Sequence, residues 1–176
     1  SEIKLLDEQD REVPQGEVGE ICIKGDHVMK GYFNKPEDTA QTLRGGWLHT
    51  GDMAYKDEEG YLFIVDRKKE MSIRGGENIY PKELEGIIFR HPQVMEVAVV
   101  GAPDPIYGEE VMACLVLHPG QALTEEAFKA WCRENMASYK VPKYVDIRTA
   151  LPKNILGKIL KKELKSALKA EGKITA

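Results

Sequence analysis

What this 176-residue chain lacks limits what it can be. Charged residues break every apolar stretch well short of the roughly 18 uninterrupted residues of a membrane-spanning helix, so no transmembrane segment is expected. No secretory signal opens the sequence. Three cysteines, Cys22, Cys114 and Cys132, are an odd number without CxxC spacing. They indicate neither a disulfide framework nor a zinc knuckle, and they suit a reducing, cytoplasmic compartment. The four histidines, at 27, 49, 91 and 118, are too scattered for HxxxH or HExxH binding, so no metal ligands are expected. Gly157-Lys158 raises phosphate binding, but Pro152 stands where the first glycine of a Walker loop belongs. Aromatic residues are missing after Tyr144, which leaves the lysine-rich end without stacking platforms and argues against a nucleic-acid partner.

What is present is unevenly distributed. A net charge of −4 hides an acidic beginning and a basic end. Residues 1–20 carry seven acids against Lys4 and Arg11, and residues 152–176 carry seven lysines against Glu163 and Glu171. Up to Gly76, short apolar runs alternate with turn residues, which predicts strands near 2–6, 18–24, 47–50 and 61–65 and a short helix from Pro36 to Leu43. Beyond Gly76 the pattern changes. Pro81 starts a helix with Leu84, Ile87 and Ile88 on its apolar face, and strands follow at 94–100 and 110–117. A helix capped by Thr124 buries Phe128, Trp131 and Cys132, a strand lies near 143–148, and an amphipathic helix with Leu160, Leu164 and Leu168 ends the unit. The class is α+β, with a boundary in the charged run Asp66–Glu70. A first unit of about 66 residues would be marginal alone.

Individually, the candidate motifs read blandly. Thr50-Gly51-Asp52 has the make-up of a tight turn closing a hairpin, and Arg74-Gly75-Gly76-Glu77-Asn78 of a bulged turn whose glycines also allow close approach of a ligand. In sequence order they form a larger pattern. Gly19-Glu20-Ile21 runs to Gly31-Tyr32-Phe33-Asn34, followed by Trp47-Leu48-His49-Thr50-Gly51-Asp52 and Asp66-Arg67-Lys68-Lys69. Then come Ser72-Ile73-Arg74-Gly75-Gly76-Glu77-Asn78-Ile79-Tyr80-Pro81, Tyr139-Lys140-Val141-Pro142-Lys143 and Leu151-Pro152-Lys153-Asn154 with Gly157-Lys158-Ile159. This order resembles the carboxyl-terminal third of the adenylate-forming (AMP-binding) enzymes, in the branch of acyl-CoA synthetases and fatty-acid–CoA ligases.

The resemblance implies a small β-rich subdomain over 1–66, a hinge over 67–69, a compact two-layer α/β lid domain with a small mixed sheet over 70–172, and a tail over 173–176. It implies ATP, released as AMP, and CoA as substrates, with a carboxylic acid, most of all a fatty acid, as the group activated. Lys158 is implied as the catalytic cation of adenylate formation, Asp52 and Arg67 as nucleotide contacts, and Lys69 as the hinge residue. Arg67 has an alternative as a salt bridge to a neighbouring acid. Gly75, Gly76, Tyr107, Tyr139 and Lys143 are implied as the CoA-facing set, although Val141 stands where certain aryl-CoA ligases carry Arg. The family's phosphate loop and its magnesium-binding residues match nothing in these residues. An N-terminal adenylation domain is therefore an expected partner, with self-association where that partner is absent, and the isolated chain is expected to be inactive. An aryl-CoA ligase fragment, or a free-standing nucleotide- or CoA-binding regulatory module without catalysis, stays open as an alternative.

Overall fold

Short apolar runs bounded by turn residues form strands in the first part of the chain. In the computed structural model, which describes residues 1–175, these are β1 (Glu2–Leu6), β2 (Gly19–Lys24), β3 (Leu48–Lys56) and β4 (Leu62–Arg67), joined in that order into an antiparallel sheet. Helix α1 (Pro36–Thr42) starts on a proline, whose missing N–H is no loss in a first turn, with Glu37 and Asp38 at the positive end of its dipole. A small apolar cluster of Leu5, Ile21 and Ala54, packed by Val13, Ile23 and Leu62, holds the unit together.

Thr50-Gly51-Asp52 is not a turn. Glu20 pairs with Met53 and Cys22 with His49, so three residues of β3 oppose the single Ile21, and the chain continues as a strand to Lys56. The motif is a bulge, with Gly51 supplying the positive φ (+74°) that a side chain would resist.

The chain divides into two units, Ser1–Lys69 and the residues from Glu70 on. In the second, β5 (Ser72–Arg74) and β6 (Glu77–Ile79) form a hairpin whose two loop residues, Gly75 and Gly76, have φ of +58° and +90°. A two-residue loop with both φ positive follows the twist of its strands, which explains the paired glycines and replaces the expected bulged turn. Helix α2 (Pro81–Ile88) follows, then the long antiparallel pair β7 (Val94–Asp104) and β8 (Gly108–Leu117). Helix α3 (Glu125–Asn135) is capped by the Thr124 hydroxyl, which accepts from the Ala127 amide at 3.2 Å. Strand β9 (Tyr144–Arg148) runs parallel to β8, and α4 (Lys161–Ala170) closes the unit. The sheet is mixed, in the order β6-β5-β8-β7, with β9 and β5 pairing different stretches of β8.

The near-continuous apolar run of β8 reports burial on both faces. One face packs Val97, Val99, Val111, Ala113 and Leu115 against Leu84 and Ile88 of α2 and Phe128 and Cys132 of α3. The other packs Ala98, Val100, Met112, Cys114 and Val116 against Leu164 and Leu168 of α4. The α+β class holds, while the expected two layers gain a third because α4 covers the second face. Ile174, placed by the sequence in a tail, is buried in this second cluster, and Lys173 pairs with Asp146; Ala176 lies outside the described residues.

Candidate functional site

In the first unit, the bulge in β3 sets Asp52 opposite Arg67 of β4, and Arg67 Nε lies 3.0 Å from Asp52 Oδ1. The pair matches the sequence's alternative for Arg67, a salt bridge to a neighbouring acid. Arg67 is 56% exposed, so water competes for this contact and a ligand can displace or join it.

Beneath the pair lies a residue to which the sequence assigned no role. Glu20 is buried, and its Oε1 accepts from the Gly51 amide at 3.0 Å while Oε2 accepts from Lys68 Nζ at 3.0 Å and His49 Nδ1 at 3.2 Å. Burial pushes its carboxyl up in pKa, but the Lys68 ammonium and the His49 ring outweigh this and hold it below the ordinary glutamate range. Glu20, Cys22 and His49 bring three possible metal donors within 4.8 Å of one another. Their chemistry does not fit magnesium, which takes oxygen ligands. Lys68 and Arg44 already supply positive charge to Glu20. Burial, with the charge of Glu20 adding to it, pushes the Cys22 thiol up to about 11, which opposes the thiolate a softer metal would need.

In the second unit, Gly75, Tyr107 and Lys143 gather around a charged cluster, while Gly76, next in the hairpin loop, has open space around the position of its missing Cβ. The Gly75 amide donates to the Tyr107 carbonyl at 3.0 Å, and the Arg74 guanidinium lies 4.7 Å from the centre of the Tyr107 ring. Arg74 also forms a two-point contact with Glu110, at 2.6 Å and 3.1 Å, where the carboxylate is only 2% exposed. Lys143 lies 2.8 Å from Asp104 and 3.6 Å from Glu110. Hydrogen bonds to Asp104 from Lys143 and from the Tyr107 and Ile106 amides hold its carboxyl down at about 2. Tyr139 takes different neighbours, on a 3-10 turn (Ser138–Lys140) where Lys140 lies 5.6 Å from its ring and reaches Glu83 at 2.6 Å.

Lys158 stands on its own loop. A β-bridge between Lys153 and Ile159 closes the base, and the Asn154 side-chain oxygen accepts from the Leu156 amide at 3.0 Å and the Lys158 amide at 2.9 Å. An ion pair from Lys153 to Glu96 flanks one side; Lys161 flanks the other, 2.7 Å from Glu85 and 3.4 Å from Glu70. Ile155, Leu156 and Lys158 are exposed, and among the described residues Lys158 pairs with no acid. Lys69 is exposed on a second 3-10 turn (Lys68–Glu70), at the boundary between the two units.

Residues 1–33 match the profile of the AMP-binding enzymes, and residues 83–158 match that of the AMP-binding enzyme C-terminal domain. The chain is 48% identical over 174 residues to a long-chain-fatty-acid–CoA ligase of Escherichia coli O6:H1, covering 99% of this chain and 30% of that protein. It is 51% identical over 168 residues to a crotonobetaine/carnitine–CoA ligase of Salmonella arizonae, covering 93% and 32%. Among solved structures, ATP-bound MatB from Rhodopseudomonas palustris superposes with a TM-score of 0.87 at 38% identity, over 96% of this chain and 34% of that one. The o-succinylbenzoate CoA synthetase of Bacillus subtilis, in complex with its acyl-adenylate intermediate, gives 0.82 at 40% identity, over 93% and 33%. This chain therefore spans about a third of the length of these relatives.

Proposed function

Because the chain belongs to the AMP-binding enzyme family, we propose that it serves an AMP-forming acyl-CoA ligase, contributing the adenylating lysine and the CoA-facing surface. The observation that carries this reading is Lys158, an exposed ammonium without an acidic partner among the described residues, held beside the base of a loop that hydrogen bonds keep in shape.

In the first half-reaction, a carboxylate oxygen of the acid attacks the α-phosphorus of ATP and the bond to the pyrophosphate oxygen breaks, leaving an acyl-adenylate. Two anions must approach each other. Lys158 bridges the attacking carboxylate and the α-phosphate oxygens as charge builds, a stabilisation whose loss costs about 100–1000-fold in rate. Asp52, an acceptor-only group, takes the ribose hydroxyls, and Arg67 beside it makes a second nucleotide contact. In the second half-reaction, rotation about Lys69 withdraws Lys158 and brings the Gly75–Gly76 hairpin to the adenylate. The CoA thiol then attacks the acyl carbon and AMP leaves, with Tyr107, Tyr139 and Lys143 facing the CoA.

Magnesium, where the complete enzyme uses it, is held by residues of a further adenylation domain. That domain also supplies the acyl pocket, and the exposed Tyr61, Phe63 and Ile64 of the first unit suit a surface it would cover. Left uncovered, the same surface favours self-association. Among the described residues no helix is long and apolar enough to cross a membrane, and the three free thiols suit the cytoplasm. A fatty acid is the preferred substrate, on the strength of the long-chain-fatty-acid–CoA ligase relative.

The test is Lys158→Ala in the complete enzyme. Pyrophosphate exchange should fall by about 100–1000-fold, while thioester formation from supplied acyl-adenylate stays within a few-fold. Equal losses in both half-reactions would refute the assignment.

A further inference from the structure

The Gly19-Glu20-Ile21 landmark takes no part in the chemistry above, yet it places a buried carboxylate at the second position of a strand. Lone buried acids are costly, so the partners of Glu20 show what it is kept for. Its Oε1 accepts from the amide of Gly51, the residue before Asp52, and its Oε2 accepts from the ammonium of Lys68, the residue after Arg67. Glu20 is on β2, Gly51 on β3, and Lys68 just past the end of β4. One carboxylate therefore reaches beneath β3 and links the backbone amide next to Asp52 to the side chain of the residue next to Arg67. His49, donating to the same Oε2 from the start of β3, adds a third anchor.

The bulge explains why such a tie is needed. At Gly51 the chain departs from the ladder, with a φ that ordinary strand residues avoid, and the pairing between β2 and β3 is interrupted. Its amide is satisfied by Glu20 instead of by strand pairing. The Thr50 hydroxyl completes the pattern, donating to the Ile21 carbonyl at 2.8 Å and accepting from the Asp52 amide at 3.1 Å.

We infer that Glu20 is a positioning residue for nucleotide recognition, fixing the bulge so that Asp52 and Arg67 present one geometry to the ribose. The inference rests on the nucleotide role proposed above for Asp52. Glu20 itself touches no substrate. Its effect should appear in how well the site tells ATP from ATP lacking a ribose hydroxyl, a ratio that general destabilisation leaves unchanged.

The experiment compares kcat/KM for ATP, 2′-deoxy-ATP and 3′-deoxy-ATP in the adenylation half-reaction of the complete enzyme, for wild type, Asp52→Asn, Glu20→Gln and the double variant. Glu20→Gln keeps an oxygen for Gly51 but loses the negative charge that Lys68 and His49 address. The ATP preference should fall by about tenfold, the scale of one charge-assisted hydrogen bond. The double variant should lose no more than Asp52→Asn alone. Lys68→Met, at the partly exposed end of the network, provides a second route to the same loss should Glu20→Gln fold poorly. If Asp52→Asn lowers the preference while Glu20→Gln and Lys68→Met leave it intact, the positioning role is overturned. If Asp52→Asn itself leaves the preference intact, the nucleotide reading fails, and the inference falls with it.

Discussion

Asn154 makes the Lys158 loop testable without touching the lysine. Its side-chain oxygen holds two amides, at 3.0 Å and 2.9 Å, and its own amide donates to the Lys158 carbonyl at 2.9 Å. Asn154→Ala removes the two side-chain bonds and leaves the backbone bonds, including that from the Gly157 amide to the Asn154 carbonyl. At about 0.5–1.5 kcal/mol net for each bond, the loop loses about 1–3 kcal/mol of local stability, or roughly 5- to 150-fold in the ratio of closed to open forms. Little of this should reach global stability, because Ile155, Leu156 and Lys158 are exposed and the loop opens locally. Amide hydrogen exchange reads the effect directly, with protection at Leu156 and Lys158 falling by that factor while β7 and β8 exchange as before. Asn154→Asp, which retains a side-chain acceptor, should keep most of the protection. In the complete enzyme, Asn154→Ala should slow adenylate formation and spare thioester formation. Unchanged exchange at Leu156 and Lys158 would refute the claim that Asn154 shapes the loop.

Two further tests address the second unit. His91 is buried beside Phe128 and Trp131, its ring centre 5.0 Å from that of Trp131, and burial pushes its pKa down. Its folded-state pKa therefore lies below the unfolded value of about 6.5, so the stabilisation is complete above that pH and is lost as pH falls through the depressed folded value. Denaturant midpoints measured from about pH 7.5 downward should drop with acid, and His91→Phe should flatten the part of the slope that begins near pH 6.5; identical slopes in the two proteins would count against it. Gly76 has open space around its missing Cβ but a φ of +90°, whereas a Cβ on Gly75 would meet the Tyr107 ring at 3.1 Å. Gly76→Val should cost about 1–2 kcal/mol through backbone strain and slow thioester formation more than adenylate formation. An unaffected thiolation rate would remove the hairpin from the second half-reaction.

Much of the fold is local enough to be read in order along the chain. The Pro81 start of α2, the Thr124 cap of α3 and the apolar runs of β7 and β8 each carry their own signal within a few residues. What escaped depends on partners far away in sequence. Thr50-Gly51-Asp52 has turn composition, and only pairing with β2, about 30 residues earlier, makes it a bulge. Glu20 and Glu110 look like the polar half of an alternation until Lys68 and Arg74 arrive from 48 and 36 residues away to satisfy them inside the protein. A usable signal existed in both, since each acid directly precedes the apolar run of its strand. The third layer escaped for a similar reason, as the burial of both faces of β8 depends on α4, which is far along the chain.

The bulge in β3 also bears on the entropy of recognition. A carboxylate on a free loop explores many orientations, and a ligand that selects one of them loses about 0.5–1.5 kcal/mol in ordering that side chain, besides the ordering of the loop. Asp52 follows a strand segment whose backbone is bonded to a buried acid, and its carboxylate rests against Arg67. Folding has already removed the backbone part of that freedom. Any ligand that engages Asp52 meets a group with fewer alternatives left to give up, so more of each hydrogen bond it forms is available as affinity.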